Sequence, residues 1–221
     1  MAKQEYRGKG YLEYKDWTKV SDWVLVVNYG SDLYTSLVNC VSNMGVNVYY
    51  INHKFCTDKA VEDLLARYEF KAIVLSGSAR SVTEPTPPKI HPALLEANIP
   101  VLAICYSMEW LAIMKDCQVV PNRIGKREEG PTKLIIEAPS LLWKGLDPDS
   151  IHVHMFHIFE VAEVPEGFTK TASTGGCEIA AFERDQIYCV QFHPEFPYSL
   201  SGKLMMRNFF REVCGIQTLY Y

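Results

Sequence analysis

Four short apolar runs, each followed by a stretch with helical spacing, constrain this 221-residue chain more than any other feature. Trp23–Asn28 reads Trp-Val-Leu-Val-Val-Asn, too short for a stable helix and rich in β-branched residues, so it fits a strand buried on both faces. Residues 32–44 then set Leu33, Leu37, Val38 and Val41 at helical spacing before Gly45, a helix stop. The cycle repeats with a strand over 46–51 and a helix over 58–68, its Val61, Leu64 and Leu65 facing inward. A third strand spans 72–76, and a loop with Pro85, Pro87 and Pro88 leads to a short helix near 90–97. A fourth strand over 99–104 runs directly into a helix over 106–115. Such alternation predicts a parallel sheet with right-handed crossovers and helices on both faces. Beyond about residue 118 the pattern changes to short runs at 132–136, 151–155, 168–172, 178–183 and 187–192, several of them expected to be antiparallel, and a last helix near 201–213. One domain over 23–221 is expected, with residues 1–22 as an extension whose Tyr11, Tyr14 and Trp17 cover a hydrophobic face.

Composition narrows the function classes. Hydrophobic residues make up 48% and charged residues 22%, as in a soluble globular domain with a real core. The net charge of −4 carries no basic patch for nucleic acid or an acidic membrane surface, so neither is expected as a partner. Lys126-Arg127 is cancelled at once by Glu128-Glu129 and reads as a solvated loop. No apolar run approaches the roughly 20 residues of a membrane span, and the N-terminus has no secretory apolar core. The seven cysteines are scattered without a CxxC pair, which suits reduced thiols in a cytoplasmic protein.

In open α/β sheets ligands bind beyond the carboxyl ends of the strands. Two segments meet that condition: Ser76-Gly77-Ser78 after the third strand, and Ala103-Ile104-Cys105-Tyr106-Ser107 after the fourth. A strand turning sharply into a helix at Cys105 lifts the side chain out of the sheet, and the helix N-terminus favours thiolate over thiol. A buried structural cysteine suits the same position. The strand ending at Phe192 is followed by His193-Pro194-Glu195. There an imidazole could take a thiol proton while a carboxylate holds its tautomer, with Pro194 barring a helix from starting at once. Taken alone, those three residues also fit a turn with a satisfied histidine.

Together, Val101-Leu102-Ala103-Ile104-Cys105-Tyr106-Ser107-Met108 and Val190-Gln191-Phe192-His193-Pro194-Glu195 resemble the class I glutamine amidotransferases, and most of all the group formed by the amidotransferase domains of GMP synthetases. The likeness runs from about Trp23 to the C-terminus. It includes the opening strand 24–30, the segment 75–82 at the place of a Ser-Gly-Gly-Pro loop, and 168–174 leading to 179–182. The resemblance implies a flavodoxin-like three-layer sandwich with a mainly parallel central sheet. It implies that Cys105 attacks the side-chain amide of glutamine to give a γ-glutamyl thioester, with His193 moving protons and Glu195 orienting it. The backbone N–H groups of Tyr106 and of Ser78 or Gly77 would hold the oxyanion. Glu109, Phe156, His157 and Ile158 would lie against the substrate. No cofactor is implied; the ammonia would go to a separate synthetase, since the chain ends soon after the last helix.

Departures from the family pattern bear on the substrate. Ala103 and Ser107 stand where the family has glycine, so a strained turn is expected there. Ser76-Gly77-Ser78-Ala79 lacks the second glycine and the proline, which predicts a freer oxyanion loop. Glu109 replaces a glutamine, and Ile158 replaces a glycine whose backbone lies against substrate, so that its bulk would narrow the pocket. These changes leave two further readings open: a hydrolase of another amide or γ-glutamyl compound, or a non-catalytic binding or regulatory module. His152, His154 and His157 lack a completing ligand for a metal site, and Ser173-Thr174-Gly175-Gly176 lacks the lysine of a phosphate-binding loop, so it reads as a loop.

Overall fold

The computed structural model describes residues 22–217; all but Asp22 of the expected extension, and the terminal 219–221, lie outside the described residues. The first half alternates as its sequence predicts: β1 (Trp23–Asn28), α1 (Tyr34–Ser42), β2 (Asn47–Asn52), α2 (Asp58–Arg67), β3 (Phe70–Leu75), α3 (Ala93–Glu96), β4 (Val101–Ile104) and α4 (Tyr106–Met114). The second half holds β5 (Val119–Pro121), β6 (Glu128–Ile136), β7 (His152–His157), β8 (Phe159–Val161), β9 (Thr169–Thr174), β10 (Ala181–Arg184), β11 (Ile187–Val190) and α5 (Leu200–Asn208). Local chemistry sets several ends. Thr57 caps α2 by accepting from the Ala60 N–H at 3.3 Å, Asp58 sits in its first turn and Arg67 in its last, each favourable to the helix dipole.

Nine strands form one sheet in the order β2-β1-β3-β4-β11-β10-β9-β6-β7. The first five run parallel and the rest pair antiparallel, so the antiparallel strands expected beyond residue 118 make up the other half of the sheet. β6 is bent between two partners, with Leu134–Ile136 on β9 and Glu128–Lys133 on β7. β5 and β8 pair apart from this sheet; at three residues each they are too short to show an alternation in sequence. The segment expected to be a solvated loop at 126–129 is in part the start of β6, with Glu128 buried.

Side-chain alternation splits the core into two layers. Val24, Val26, Val74 and Ile104 face Leu37 and Val41 of α1 and Met205 and Met206 of α5. Leu25, Val27, Ile73 and Leu75 face Val61 and Leu64 of α2 and Leu111 of α4. This is the three-layer arrangement, built from period-two strands that are apolar on both sides. α5 continues into a single π turn over Phe209–Val213, whose wider winding lets the neighbouring Phe209 and Phe210 both bury completely. Among the described residues no helix is long and apolar enough to cross a membrane. Truncating Phe210 to alanine should cost about 3–5 kcal/mol in a denaturant titration, the range for an emptied aromatic core site.

Candidate active site

The parallel register of β11 on β4 pairs Val190 with Ile104, so the residues that follow each strand emerge side by side. Cys105 follows β4 and caps α4 at φ 49°, ψ −106°, a conformation that costs a non-glycine residue about 1–3 kcal/mol. Its N–H donates to the Val190 carbonyl at 2.7 Å, which holds the turn against that strain. Neither Ala103 nor Ser107 has a positive φ, so the strain expected at these flanking positions lies at Cys105 itself. The Ser107 hydroxyl donates to the Ser76 carbonyl at 2.6 Å and so ties the first turn of α4 to the loop after β3.

On the other strand end, His193 Nδ1 lies 2.9 Å from Glu195 Oε1, with the two side chains 4% and 0% exposed. His193 stands close enough to Cys105 to act on its thiol, and since Nδ1 is taken by Glu195, Nε2 is the nitrogen left for it. Burial works against a charged His193, but the Glu195 carboxylate and the thiol outweigh it and hold the imidazole well above its ordinary value. Burial pushes the Cys105 thiol up, and the His193 charge and hydrogen bond pull it back. Thiol, imidazole and carboxylate thus form one buried row, its imidazole–carboxylate half a 2.9 Å hydrogen bond. Gly77 leaves room for it: a Cβ there would sit 2.9 Å from His193 Cε1 and 3.6 Å from Cys105 Cβ.

Among the described residues the N–H groups of Gly77, Ser78 and Tyr106 have no acceptor, the last as an orphan donor of a helix first turn. Gly77 packs against Cys105, Tyr106 follows it in the turn into α4, and Ser78 is the next residue of the loop after β3. That loop is tied down, contrary to the freedom expected without its proline. Ser76 Oγ accepts from Tyr29 N–H at 2.9 Å, Ser78 Oγ donates to the Tyr29 carbonyl at 2.8 Å, and Ala79 N–H reaches the Gly30 carbonyl at 3.0 Å. Serine hydroxyls do here what a rigid ring would do by covalent constraint.

Of the expected pocket residues, Glu109 lies one turn along α4 from Cys105 and is 5% exposed. Its Oε1 accepts from Gln191 Nε2 at 2.9 Å, and the same nitrogen stands 3.6 Å from Cys105 Sγ. Burial pushes Glu109 up to about 7, while the Gln191 bond and the His193 charge pull it down. The Phe156 carbonyl is 3.9 Å from Cys105 Sγ, and its ring stands edge-on to His193 at 6.3 Å, with the Arg127 guanidinium 4.8 Å from the ring centre. Ile158 is 44% exposed, so its bulk is not buried against the thiol. The His157 ring joins Glu128 instead of the thiol, at 2.9 Å. His154 stacks on Phe196 and His152 faces the Ser150 carbonyl, so the three histidines do not converge. Two functional groups escaped sequence reasoning. Gln191 was visible only as part of a motif, and Glu128 was masked by its charged neighbours.

Residues 25–213 match the family described as glutamine amidotransferase class-I. A "GMP synthase [glutamine-hydrolyzing]" of Oleidesulfovibrio alaskensis is 39% identical over 197 residues, 88% of this chain and 37% of that protein. The enzyme of the same description from Alcanivorax borkumensis is 32% identical over 208 residues, 89% of this chain and 38% of that protein. The chain therefore spans little more than a third of the length of these curated relatives. Among solved structures, a putative GMP synthase subunit from Thermoplasma acidophilum superposes with a TM-score of 0.71 at 25% identity, covering 88% of this chain and 94% of that one. A glutamine amidotransferase from Thermotoga maritima shares the fold at a TM-score of 0.62 and 16% identity, over 86% of this chain and 81% of that one. By sequence match over most of its length, this chain belongs to the class I glutamine amidotransferase family.

Proposed function

We propose that this chain hydrolyses the side-chain amide of glutamine through Cys105, His193 and Glu195 and passes the ammonia to a separate synthetase. The observation that carries the reading is the buried row at two adjacent strand ends, with Glu195 on one imidazole nitrogen at 2.9 Å and His193 beside the Cys105 thiol. His193 Nε2 takes the thiol proton as Sγ attacks the amide carbon. The oxyanion is received by the N–H of Tyr106 and that of Ser78 or Gly77, each such donor being worth about 3 kcal/mol. The imidazolium returns its proton to the amide nitrogen, the C–N bond breaks, and ammonia leaves a γ-glutamyl thioester. His193 then deprotonates water, which attacks the thioester; the C–S bond breaks, Cys105 regains its proton and glutamate departs. Glu195 fixes the tautomer and the orientation of the imidazole throughout. The description "glutamine-hydrolyzing" of the relatives supports this chemistry, as do the backbone N–H donors without an acceptor at Gly77, Ser78 and Tyr106.

Glu109 favours a second reading, a hydrolase for another amide or γ-glutamyl compound. A carboxylate one helical turn from the nucleophile opposes a substrate carboxylate and attracts an ammonium. The primary test is ammonia and glutamate release from glutamine, alone and with candidate synthetases. Cys105→Ala should abolish both products, and a wild-type protein inert towards glutamine but active on another γ-glutamyl amide would move the assignment to the second reading. Gly77→Ala should cut kcat by about 100-fold, the scale of a roughly 1 Å misplacement of a reacting group, with the melting temperature little changed. Because Glu109 is neutral below a pKa of about 7 and anionic above it, KM for glutamine should climb as pH rises through that value. In Glu109→Gln, KM should be lower and flat across the same range; an unchanged profile would remove Glu109 from glutamine recognition.

A further inference from the structure

The covering strand of the site is fastened by a buried hydrogen-bonded pair, His157 and Glu128, that the proposed chemistry does not use. His157 ends β7 on the face opposite Phe156, its side chain 1% exposed beside a Glu128 side chain 10% exposed. Nδ1 lies 2.8 Å from the Phe159 carbonyl, which only accepts hydrogen bonds, and Nε2 lies 2.9 Å from Glu128 Oε2. The Phe159 carbonyl only accepts, so Nδ1 donates to it and Nε2 is left to the Glu128 carboxyl group, which ties the ring at both nitrogens. Glu128 Oε1 also faces the Thr174 hydroxyl at 3.4 Å. Gly176 admits the carboxylate, since a Cβ there would come within 2.6 Å of it. The backbone agrees with the side chains. Glu128 pairs with His157 and Glu129 with Phe156 in register, and Asn122 holds the Ile158 carbonyl through its N–H at 2.8 Å.

What is fastened lies directly over Cys105, whose thiol is reached by the Phe156 carbonyl at 3.9 Å and which is 6% exposed. A substrate must therefore displace part of this cover. We propose that His157 and Glu128 are positioning residues that latch the Phe156–Ile158 segment over Cys105 and set how readily the nucleophile is reached. The inference depends on the glutaminase reading only for its turnover measurements; access to the thiol is read independently.

The test is the rate at which iodoacetamide alkylates Cys105 in the full chain, followed by mass spectrometry of the Cys105 peptide so that the other six cysteines do not interfere. Glu128→Gln keeps the size and one hydrogen bond but removes the charge. It should speed alkylation by roughly tenfold, the effect of a 1.4 kcal/mol change in a local opening equilibrium. KM for glutamine should fall by a similar factor while kcat changes less than about twofold, a split that general destabilisation would not give. An alkylation rate within about twofold of wild type, in a variant with native near-ultraviolet circular dichroism, overturns the proposal. Should Glu128→Gln fail to fold, Gly176→Ala places a Cβ within 2.6 Å of the Glu128 carboxylate, displaces it from His157 and should give a rise in the same direction; no rise there overturns the proposal equally. Faster alkylation in a protein without glutamine turnover would keep the latch and reject the glutaminase reading. Normal turnover with unchanged alkylation would do the reverse.

Discussion

The hydrogen bond from the Cys105 N–H to the Val190 carbonyl, at 2.7 Å, joins two strands that are far apart in the chain and close in function. β11 lies parallel to β4, and the two end level with each other. That register fixes where the thiol-bearing turn begins and where His193 emerges. A slip of one residue would send both side chains to opposite faces, because side chains alternate along a strand. The positive φ of Cys105 follows from the same constraint, since the chain must leave β4 and enter α4 within one residue. Strain of about 1–3 kcal/mol is held there by the inter-strand bond and by Ser107 on Ser76.

Around that junction, burial and pairing compete at each titratable group. Glu195 outweighs burial at His193, and His193 partly offsets burial at Cys105. Glu109 has only a neutral amide as its hydrogen-bond partner, so burial prevails and its pKa climbs from 4.5 to about 7. A group that holds its proton more tightly when folded loses stability as pH rises between those values, with the full loss present above about 7. The size is on the order of 3 kcal/mol. A glutamine at 109 would carry no such penalty, so the carboxylate is a cost that the fold bears one helical turn from Cys105.

The parallel half was legible because its information is local. Apolar runs such as Trp23–Asn28 and helix-spaced leucines such as Leu37 state their own structure, and Cys105 and His193 each stand directly after a strand. The antiparallel half was less so. Only the 132–136 part of β6 was legible; its first residues were not, because the charges at 126–129 look solvated until the strand folds against β7. Glu128 meets a histidine 29 positions away, a separation that no helical or strand period encodes. The oxyanion loop misled for a related reason. The missing proline was visible in sequence, whereas the serine hydroxyls that replace its rigidity bind the Tyr29 backbone, 47 and 49 positions away.

The mixed sheet explains why the cover and the imidazole are mechanically linked. The His154 carbonyl in β7 accepts the His193 N–H at 2.9 Å, and two residues further the Phe156 carbonyl reaches the Cys105 thiol at 3.9 Å. Beyond it, the Ile158 carbonyl is held by Asn122 and His157 by Glu128. A wholesale departure of β7 would thus pull on the residue that carries the base. Opening that spares the imidazole must pivot between His154 and Ile158, the stretch that contains Phe156 and is secured from behind by the His157 ring. The antiparallel half of the sheet therefore does more than complete the core. It delivers a strand bonded to the His193 backbone at one point and to the Glu128 side chain at another, with the thiol beneath the span between them.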